Sequence, residues 1–334
     1  MMCDSMSVNT NKNNKYDRSQ LWSTLRSTLF VVGTAVIIFA AACNTITWHL
    51  QRFWGASGDF WQRQWDKVYY KFDGDEFYIF VIGTTILAFS IYWGVGIIYT
   101  IMDITGQPAA IMKYRIQPDK MEPIEHKRLI KVILHVIFNQ LLGIPVIVAV
   151  YHLMEFRGFN RGIKLPTFQW VLLELVVFVI FEEVGFYYFH RLLHHPRVYK
   201  RIHKKHHEWI SPIAITAIYC HPIEHILSNL LPPLLGPLVM GSHTATYWLW
   251  FTVVILSTLN AHSGYHFPFF PSPEAHDFHH LKFNQNYGML GLLDRLHGTD
   301  TMFRSSKAYH RHIMLLSLVP MRQLIPDEPK EKTS

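Results

Sequence analysis

The chain has 334 residues, of which half are hydrophobic and only 16% are charged. This charged fraction is well below the roughly 25% of ordinary soluble domains, which argues against a water-soluble globular protein. The net charge of +7 comes from Lys and Arg in short blocks beside apolar runs, a pattern typical of membrane-flanking segments. Cys3, Cys43 and Cys220 lie far apart, which excludes a disulfide framework and a zinc site built from thiolates.

The first apolar runs predict membrane-spanning helices. Residues 1–26 form a polar tail without the apolar core and cleavage site of a signal peptide, so we expect this tail to stay in the cytosol. The runs over 27–48, 77–102 and 132–154 contain no charged side chain. Each is longer than the about 18 residues that indicate a spanning helix.

The connecting segments predict the topology. The connector over 103–131 is rich in Lys and Arg, and this excess of positive charge places it in the cytosol. The fourth apolar stretch, 168–189, contains Glu174, Glu182 and Glu183, and carboxylates inside a membrane are costly enough that each should have a functional partner. After four crossings His190 lies on the cytosolic side, and the segment that follows is again basic.

A last apolar stretch predicts a hairpin. No Asp, Glu, Lys or Arg occurs over 226–273, but Pro and Gly residues divide the stretch into halves over 226–240 and 244–261. Two short helices joined by a turn fit this pattern. The predicted fold is all-α, an integral membrane helical bundle of about four transmembrane helices plus a helical hairpin, with a cytosolic histidine-rich cap for two metals.

Histidine carries the chemical signal, because 14 of the 21 histidines lie between His190 and His280. Side chains three and four apart share a helix face. An H-x-x-x-H or H-x-x-H-H cluster therefore aims two imidazoles at one point, and the third ring of H-x-x-H-H at a neighbouring point. Two metals shared by several clusters suit this geometry. Imidazoles favour zinc, copper, nickel or iron and do not decide among them. The four clusters contain His190 and His194; His203, His206 and His207; His262 and His266; and His276, His279 and His280.

We predict a role in the protein core, without metal binding, for four isolated histidines. An imidazole on an apolar face is usually a core residue satisfied by hydrogen bonds. We expect that role for His49, His135, His152 and His243.

The clusters and their surroundings resemble a known family, the membrane fatty acid hydroxylase and sterol desaturase superfamily, over about 168–300. The motifs around the clusters look like its C4-methylsterol oxidase branch. They are His190-Arg191, His221-Pro222-Ile223-Glu224-His225, Asn260-Ala261-His262-Ser263-Gly264-Tyr265 and Leu293-Asp294-Arg295-Leu296-His297-Gly298-Thr299-Asp300. The resemblance implies a dinuclear iron oxygenase of the endoplasmic reticulum membrane that takes electrons from another chain, typically cytochrome b5. The organisation then comprises a cytosolic tail, transmembrane helices with their loops, a catalytic domain and a second cytosolic tail, over 1–26, 27–167, 168–300 and 301–334.

All ten clustered histidines are predicted metal ligands. His266 stands where the methylsterol oxidase branch has Asp and the lipid hydroxylases can have a ligating His, so the resemblance does not carry sterol demethylation directly to this chain. His221 and His225 form a further H-x-x-x-H motif and are also candidate metal ligands. Because Pro222 favours a helix start there, a supporting or capping role is the alternative.

Metal-bound imidazoles usually donate their second N–H to a carboxylate or a carbonyl oxygen. The predicted supporting residues are Glu183, Tyr187, His221, Glu224, His225, Asp277 and Asp294. Two alternatives stay open. Glu182 and Glu183 could pair with Arg191 or Arg197, and Asp277 could cap a helix.

The predicted function is hydroxylation of a lipid C–H bond, with a 4-methylsterol or related sterol favoured over an acyl lipid or a sphingoid base. A haem-binding His-Pro-Gly-Gly motif and a Gly-rich nucleotide motif are both missing from the sequence, so we expect cytochrome b5 and its reductase to supply electrons. A metal-binding membrane protein without catalysis is the rival interpretation. Lys330 and Lys332 resemble a K-x-K-x-x retrieval signal of the endoplasmic reticulum.

Overall fold

The computed structural model describes residues 13–120, 124–159 and 162–327, and within these ranges every regular element is helical. The all-α prediction is confirmed. The α-helices are α1 Asn13–Lys71, α2 Thr84–Thr105, α3 Ala109–Met112, α4 His126–Arg157, α5 Phe168–Leu193, α6 Pro196–Tyr199, α7 Pro222–Glu224, α8 Leu231–Met240, α9 Thr244–Ala261, α10 Glu274–Lys282, α11 Leu292–His297, α12 Thr301–Arg304, α13 Lys307–Arg311 and α14 Met321–Leu324. Stretches of π-helix over Tyr78–Gly83 and His225–Leu230 precede α2 and α8, and short 3₁₀ turns include His203–Glu208.

The chain divides into two compact units, Met1–Arg63 and Gln64–Ser334. Most of α1 belongs to the first unit. This helix already begins at Asn13, inside the stretch predicted to be a polar tail. Its side chains over 25–50 are largely apolar and exposed, as expected for a helix in contact with lipid.

Among the described residues, four helical stretches are long and apolar enough to cross a membrane. They are Leu25–Lys71, Tyr78–Thr105, His126–Arg157 and Pro222–Met240. The number agrees with the prediction, but the fourth stretch differs. The predicted crossing α5 is not among them because it carries too many charged side chains, among them its three glutamates, whereas the first half of the predicted hairpin qualifies. The two hairpin helices themselves are present as α8 and α9, joined by a turn at Gly241.

In the second unit, α5 packs along α8 and α2 packs along α9. Gly236 makes the first contact close, because a Cβ atom there would lie 2.7 Å from Cα of Phe178. One apolar core joins α2, α4 and α9 around Tyr92, Val136 and Leu259. The helices α5 and α9 thereby hold their last turns, which carry His190 and lead to His262, in one region of this unit.

Part of the predicted C-terminal tail is folded onto the rest of the second unit. Leu315 and Met321 are buried in a small cluster with Tyr114. Arg311 and Arg322 both pair with Asp327, near the end of the described residues. The predicted retrieval signal at Lys330 and Lys332 lies outside the described residues.

Candidate metal centre

Nine histidines converge in two groups. In each group, one ring nitrogen per residue lies within 4.8 Å of the corresponding nitrogens of all the others. The five-histidine group consists of His190, His194, His203, His207 and His279. The four-histidine group consists of His206, His262, His276 and His280. Each group has the ligand number and spacing for one metal ion.

Local structure divides each H-x-x-H-H cluster between the two groups. In the 3₁₀ turn His203–Glu208, the first and third histidines serve the five-histidine group and His206 serves the other. In α10 the assignment is reversed, since His279 alone serves the five-histidine group. A pair of rings at i and i+4 thus shares one group, and the ring at i+3 belongs to the neighbouring group.

Five of the nine rings are oriented by an oxygen that accepts a hydrogen bond from Nδ1. Backbone carbonyl oxygens do so for His190 (Tyr287, 2.8 Å), His262 (Thr258, 2.9 Å), His279 (Gln285, 2.7 Å) and His280 (Trp209, 3.1 Å). A carboxylate does so for His203, whose Nδ1 is 2.8 Å from Oε1 of Glu224. A carbonyl oxygen can only accept, so the proton of each neutral ring is assigned to Nδ1 and the lone pair of Nε2 faces the group.

The Nε2 atoms are crowded in a way that suits a shared cation. Within the five-histidine group, Nε2 of His203 lies 2.9 Å from Nε2 of His194 and 2.9 Å from that of His207. Within the four-histidine group, Nε2 of His262 lies 2.9 Å from Nε2 of His276. Nitrogens that bind one ion at about 2.1 Å have such separations. Nε2 of His190 and Nε2 of His280 are buried without a hydrogen-bond partner, and a metal ion in each group would satisfy them.

Burial keeps the rings neutral. It lowers the pKa of His262 to about 4 and the pKa of His279 well below its usual value. The pKa of His206 is also lowered, first by burial and then by the neighbouring imidazoles. Neutral imidazole is the form that binds metal, so the site is prepared for ligation at neutral pH.

Of the predicted supporting residues, Glu224 contacts a clustered imidazole directly. Two of the others, Glu183 and Asp294, act through the backbone. The two oxygens of Glu183 accept hydrogen bonds from four backbone N–H groups, those of Met289, Leu290, Leu292 and Leu293. Glu183 therefore holds a loop and is not bonded to a ligand ring.

Asp294 completes this support. It accepts hydrogen bonds from the N–H groups of Tyr287 at 2.8 Å and Gly288 at 2.6 Å. The carbonyl oxygen of Tyr287 in turn accepts the Nδ1 proton of His190. A Cβ atom on Gly288 would lie 2.9 Å from Asp294 and 3.0 Å from Glu183, so only glycine allows both carboxylates to approach the loop. The loop over 287–294 thus connects both acids to the five-histidine group.

The prediction that His266 is a metal ligand is not supported. His266 is buried outside both groups, and its Nε2 donates to the carbonyl oxygen of Ile313 at 3.0 Å. Its Nδ1 faces Oε1 of Glu274 at 3.4 Å. The short turn after His262 directs the ring toward the C-terminal segment and away from the metal groups.

The remaining supporting candidates have other contacts. His221 accepts a hydrogen bond from the N–H of Ile223 at the start of α7, in agreement with the capping alternative, and His225 is buried outside both groups. Tyr187 bonds Thr299 through its hydroxyl, 3.2 Å away. Asp277 accepts from Gln117 at 2.7 Å.

Two of the four isolated histidines have the predicted core role. His243 is buried and bonded at both ring nitrogens, and His135 bonds the carbonyl oxygen of Cys220. His49 and His152 are exposed, so the prediction is wrong for them, because both occupy a helix face that this chain does not cover.

The functional groups that sequence reasoning missed are the carbonyl oxygens of Thr258, Trp209, Gln285 and Tyr287. Every residue has a carbonyl oxygen, so no residue type marks these positions. Only Thr258 could have been found, because it precedes His262 by one helical turn.

Comparison with known proteins places this architecture in a family. Residues 175–299 match the family model described as fatty acid hydroxylase. The chain is 50% identical, over 93% of both chains, to fatty acid hydroxylase domain-containing protein 2 of Homo sapiens. It is 38% identical to fatty acid hydroxylase ahd1 of Mycosarcoma maydis, over 69% of this chain and 60% of that protein. It is 30% identical to methylsterol monooxygenase 2-1 of Arabidopsis thaliana, over 70% of this chain and 92% of that protein.

No solved structure matches the chain. The identity and coverage of the sequence relatives confirm the family suggested by the histidine clusters. This chain belongs to the fatty acid hydroxylase family.

Proposed function

We propose that the chain is a membrane-bound di-iron oxygenase that uses dioxygen and external electrons to hydroxylate or oxidise a C–H bond of a lipid. The observation that carries this proposal is the convergence of nine neutral imidazoles in two adjacent groups. Two iron ions bound there would supply the dioxygen activation that attack on an unactivated C–H bond requires, and protein side chains alone cannot supply it.

The residues of the chain prepare the site for this chemistry. The Nδ1 acceptors fix the rings before metal binds, and the carboxylate of Glu224 raises the basicity of His203. His203, His207 and His279 are buried, so water is kept from the ligand nitrogens. The loop held by Glu183 and Asp294 positions the ring of His190 beside these rings, because the carbonyl oxygen of Tyr287 accepts the proton of its Nδ1.

The overall reaction needs electrons from outside the chain. One oxygen atom of dioxygen enters the lipid as a hydroxyl group, and the other leaves as water after two electrons and two protons are added. We propose cytochrome b5 and its reductase as the source. Arg197, Lys200, Arg201 and Lys204 are exposed beside the five-histidine group, where their charge suits an acidic carrier.

A sterol is the substrate that we favour, and the Arabidopsis relative is named for a methylsterol. The endoplasmic reticulum, with the histidine clusters and both termini on the cytosolic side, is the proposed location. A fatty acyl or sphingolipid hydroxylase is the second candidate, because the relative from Mycosarcoma maydis is named a fatty acid hydroxylase and the human relative is named for such a domain. In both cases a substrate dissolved in the bilayer would reach the site laterally.

A metal-binding protein without catalysis is the rival class. A protein that has lost its activity should have lost ligands, yet every ring of the two H-x-x-H-H clusters lies in one of the groups. Transporters hold their cargo near the middle of the membrane, whereas these clusters lie in polar, basic segments.

Purified chain, assayed for iron and zinc and then for oxygen-dependent product with cytochrome b5 and its reductase, tests the proposal. We expect iron to support turnover and the double variant His279→Ala, His280→Ala to abolish it. Full turnover by the double variant would exclude the oxygenase. Lipid analysis of cells that lack the protein then distinguishes the two substrate classes. Accumulation of methylated sterols supports a sterol substrate, and loss of a hydroxylated acyl lipid supports an acyl substrate.

A further inference from the structure

Two neighbouring segments of the second unit expose large apolar side chains, which we call the apolar rim. The most exposed are Leu316 at 73%, Leu318 at 68% and Phe269 at 62%. The complete rim consists of Phe269, Phe270, Ile313, Met314, Leu316 and Leu318. Single exposed apolar residues are ordinary, but six large exposed apolar side chains on two neighbouring segments indicate an interaction site.

The rim is built on a fixed scaffold. The N–H of Phe269 donates to the carbonyl oxygen of Leu315 at 2.8 Å, which joins the two segments. Leu315 is 2% exposed and packs with Tyr114 and Met321. Phe269 has a φ of 63°, a conformation that bulky residues rarely adopt. The fold therefore holds these side chains outward on an ordered backbone.

The rim lies close in sequence and space to the end of a membrane-spanning stretch. Tyr114 follows the last residue of α2, Thr105, by nine positions, and its hydroxyl donates to the carbonyl oxygen of Leu318 at 2.7 Å. Lys113 is exposed beside it, with its Nζ 3.4 Å from the same oxygen. An apolar surface edged by a cation just beyond a spanning helix has the composition of a membrane-interface element.

We propose that the apolar rim inserts into the boundary between lipid headgroups and acyl chains, and so seats the metal-binding part of the chain on the bilayer. No charged residue occurs between Ile313 and Pro320, so the segment has no ion-pairing group for a protein partner. The carbonyl oxygens of Ile313, Leu315 and Leu318 already accept hydrogen bonds, which lowers the cost of leaving water.

The rim also connects to the metal centre. Ile313 accepts the hydrogen bond of His266, which is four residues after the ligand His262. Contact of the rim with lipid therefore fixes the segment that follows the four-histidine group. The proposal does not depend on the oxygenase chemistry, because it concerns a surface and not a reaction.

Fluorescence quenching in phosphatidylcholine nanodiscs tests the proposal. The full chain with Cys3→Ser and Cys43→Ser keeps only the buried Cys220 and receives a single environment-sensitive label at Leu316→Cys or Leu318→Cys. A label at Ile98→Cys, exposed on α2, reports acyl chains, and a label at exposed Ser305→Cys reports water. Lipids brominated near the headgroup should quench at least about half of the emission at both rim positions, since interfacial elements lie about 5–10 Å deep.

The controls make the other outcomes decisive. Quenching of both rim labels by aqueous iodide, as at Ser305, would place the rim in water and overturn the proposal. Protection from both quenchers would mean that a protein surface covers it, and that result also contradicts lipid contact. Retained metal content verifies that each labelled variant is folded, and the two rim positions report independently.

Discussion

The five-histidine and four-histidine groups differ in how firmly their rings are held. Three rings of the larger group have an Nδ1 acceptor, and for His203 this acceptor is a carboxylate. Two rings of the smaller group have one, and both acceptors are carbonyl oxygens. The smaller group also offers one nitrogen fewer. We expect its ion to be bound less tightly and to have more positions free for a small exogenous ligand.

The difference is notable because both groups draw on the same segments. The turn His203–Glu208 and α10 each contribute to both, so backbone position alone does not distinguish the groups. What distinguishes them is the surroundings of Nδ1. Adjacent substitutions can therefore affect one ion and spare the other.

The largest effect is expected from His279→Ala and His280→Ala, made singly. His279 serves the five-histidine group and His280 the four-histidine group. Each variant should lose turnover by more than the 10–100-fold typical of residues around a metal site, and should lose about one metal ion per chain. Metal analysis and spectroscopy of the residual ion check this result.

The matched control is His195→Ala, beside His194 but exposed and outside both groups. It should keep both ions. If His279→Ala and His280→Ala left the same ion behind, the division into two groups would be wrong.

Glu224→Gln tests the carboxylate that distinguishes the larger group. The variant preserves the size of the side chain but replaces the carboxylate, whose Oε1 lies 2.8 Å from Nδ1 of His203, with a neutral amide. We expect affinity for one ion to fall about 10–100-fold while the other ion is unaffected. Competitive chelator titration measures both affinities. Glu155→Gln, on an exposed part of α4, is the control, and equal weakening of both ions would contradict the assignment.

Gly288→Ala tests the loop that supports His190. The added Cβ would crowd the carboxylates of Asp294 and Glu183, so we expect a loss of about 1–3 kcal/mol in the free energy of unfolding. Metal affinity of the five-histidine group should fall as well. Gly94→Ala is the control, because a Cβ on Gly94 meets no atom within 4 Å. The thermal unfolding curves of the two variants should differ. Identical curves would contradict the role of this loop in supporting His190.

The sequence allowed the helical class, the number of spanning stretches and the clustered histidines to be predicted, since these depend on local spacing. It could not identify which glutamates support the rings. The position of Glu183, one helical turn before Tyr187 and two before His190, predicts a partner for the ligands. In the structure, loop N–H groups from residues over 100 positions away donate to both its oxygens.

The wrong expectation that α5 is one of the spanning stretches has a similar cause. Hydropathy treats Glu174, Glu182 and Glu183 as exceptions in an apolar run, but all three are buried against other parts of the protein. The spacing of residues within one segment does not predict which of its side chains tertiary packing buries. The same limit applies to His266, whose spacing from His262 is that of a ligand pair.

His266→Gln is expected to have the smallest effect. It tests whether His266 is a ligand, as its spacing from His262 predicts, or lies outside both groups, as in the structure. Loss of the hydrogen bond to Ile313 should lower the free energy of unfolding by about 1 kcal/mol and leave both ions bound. His262→Gln, four residues earlier, should release the ion of the four-histidine group. Metal content of the two variants checks this contrast. If His266→Gln also lost an ion, His266 would be a ligand after all, and the four-histidine group would have the same number of rings as its neighbour.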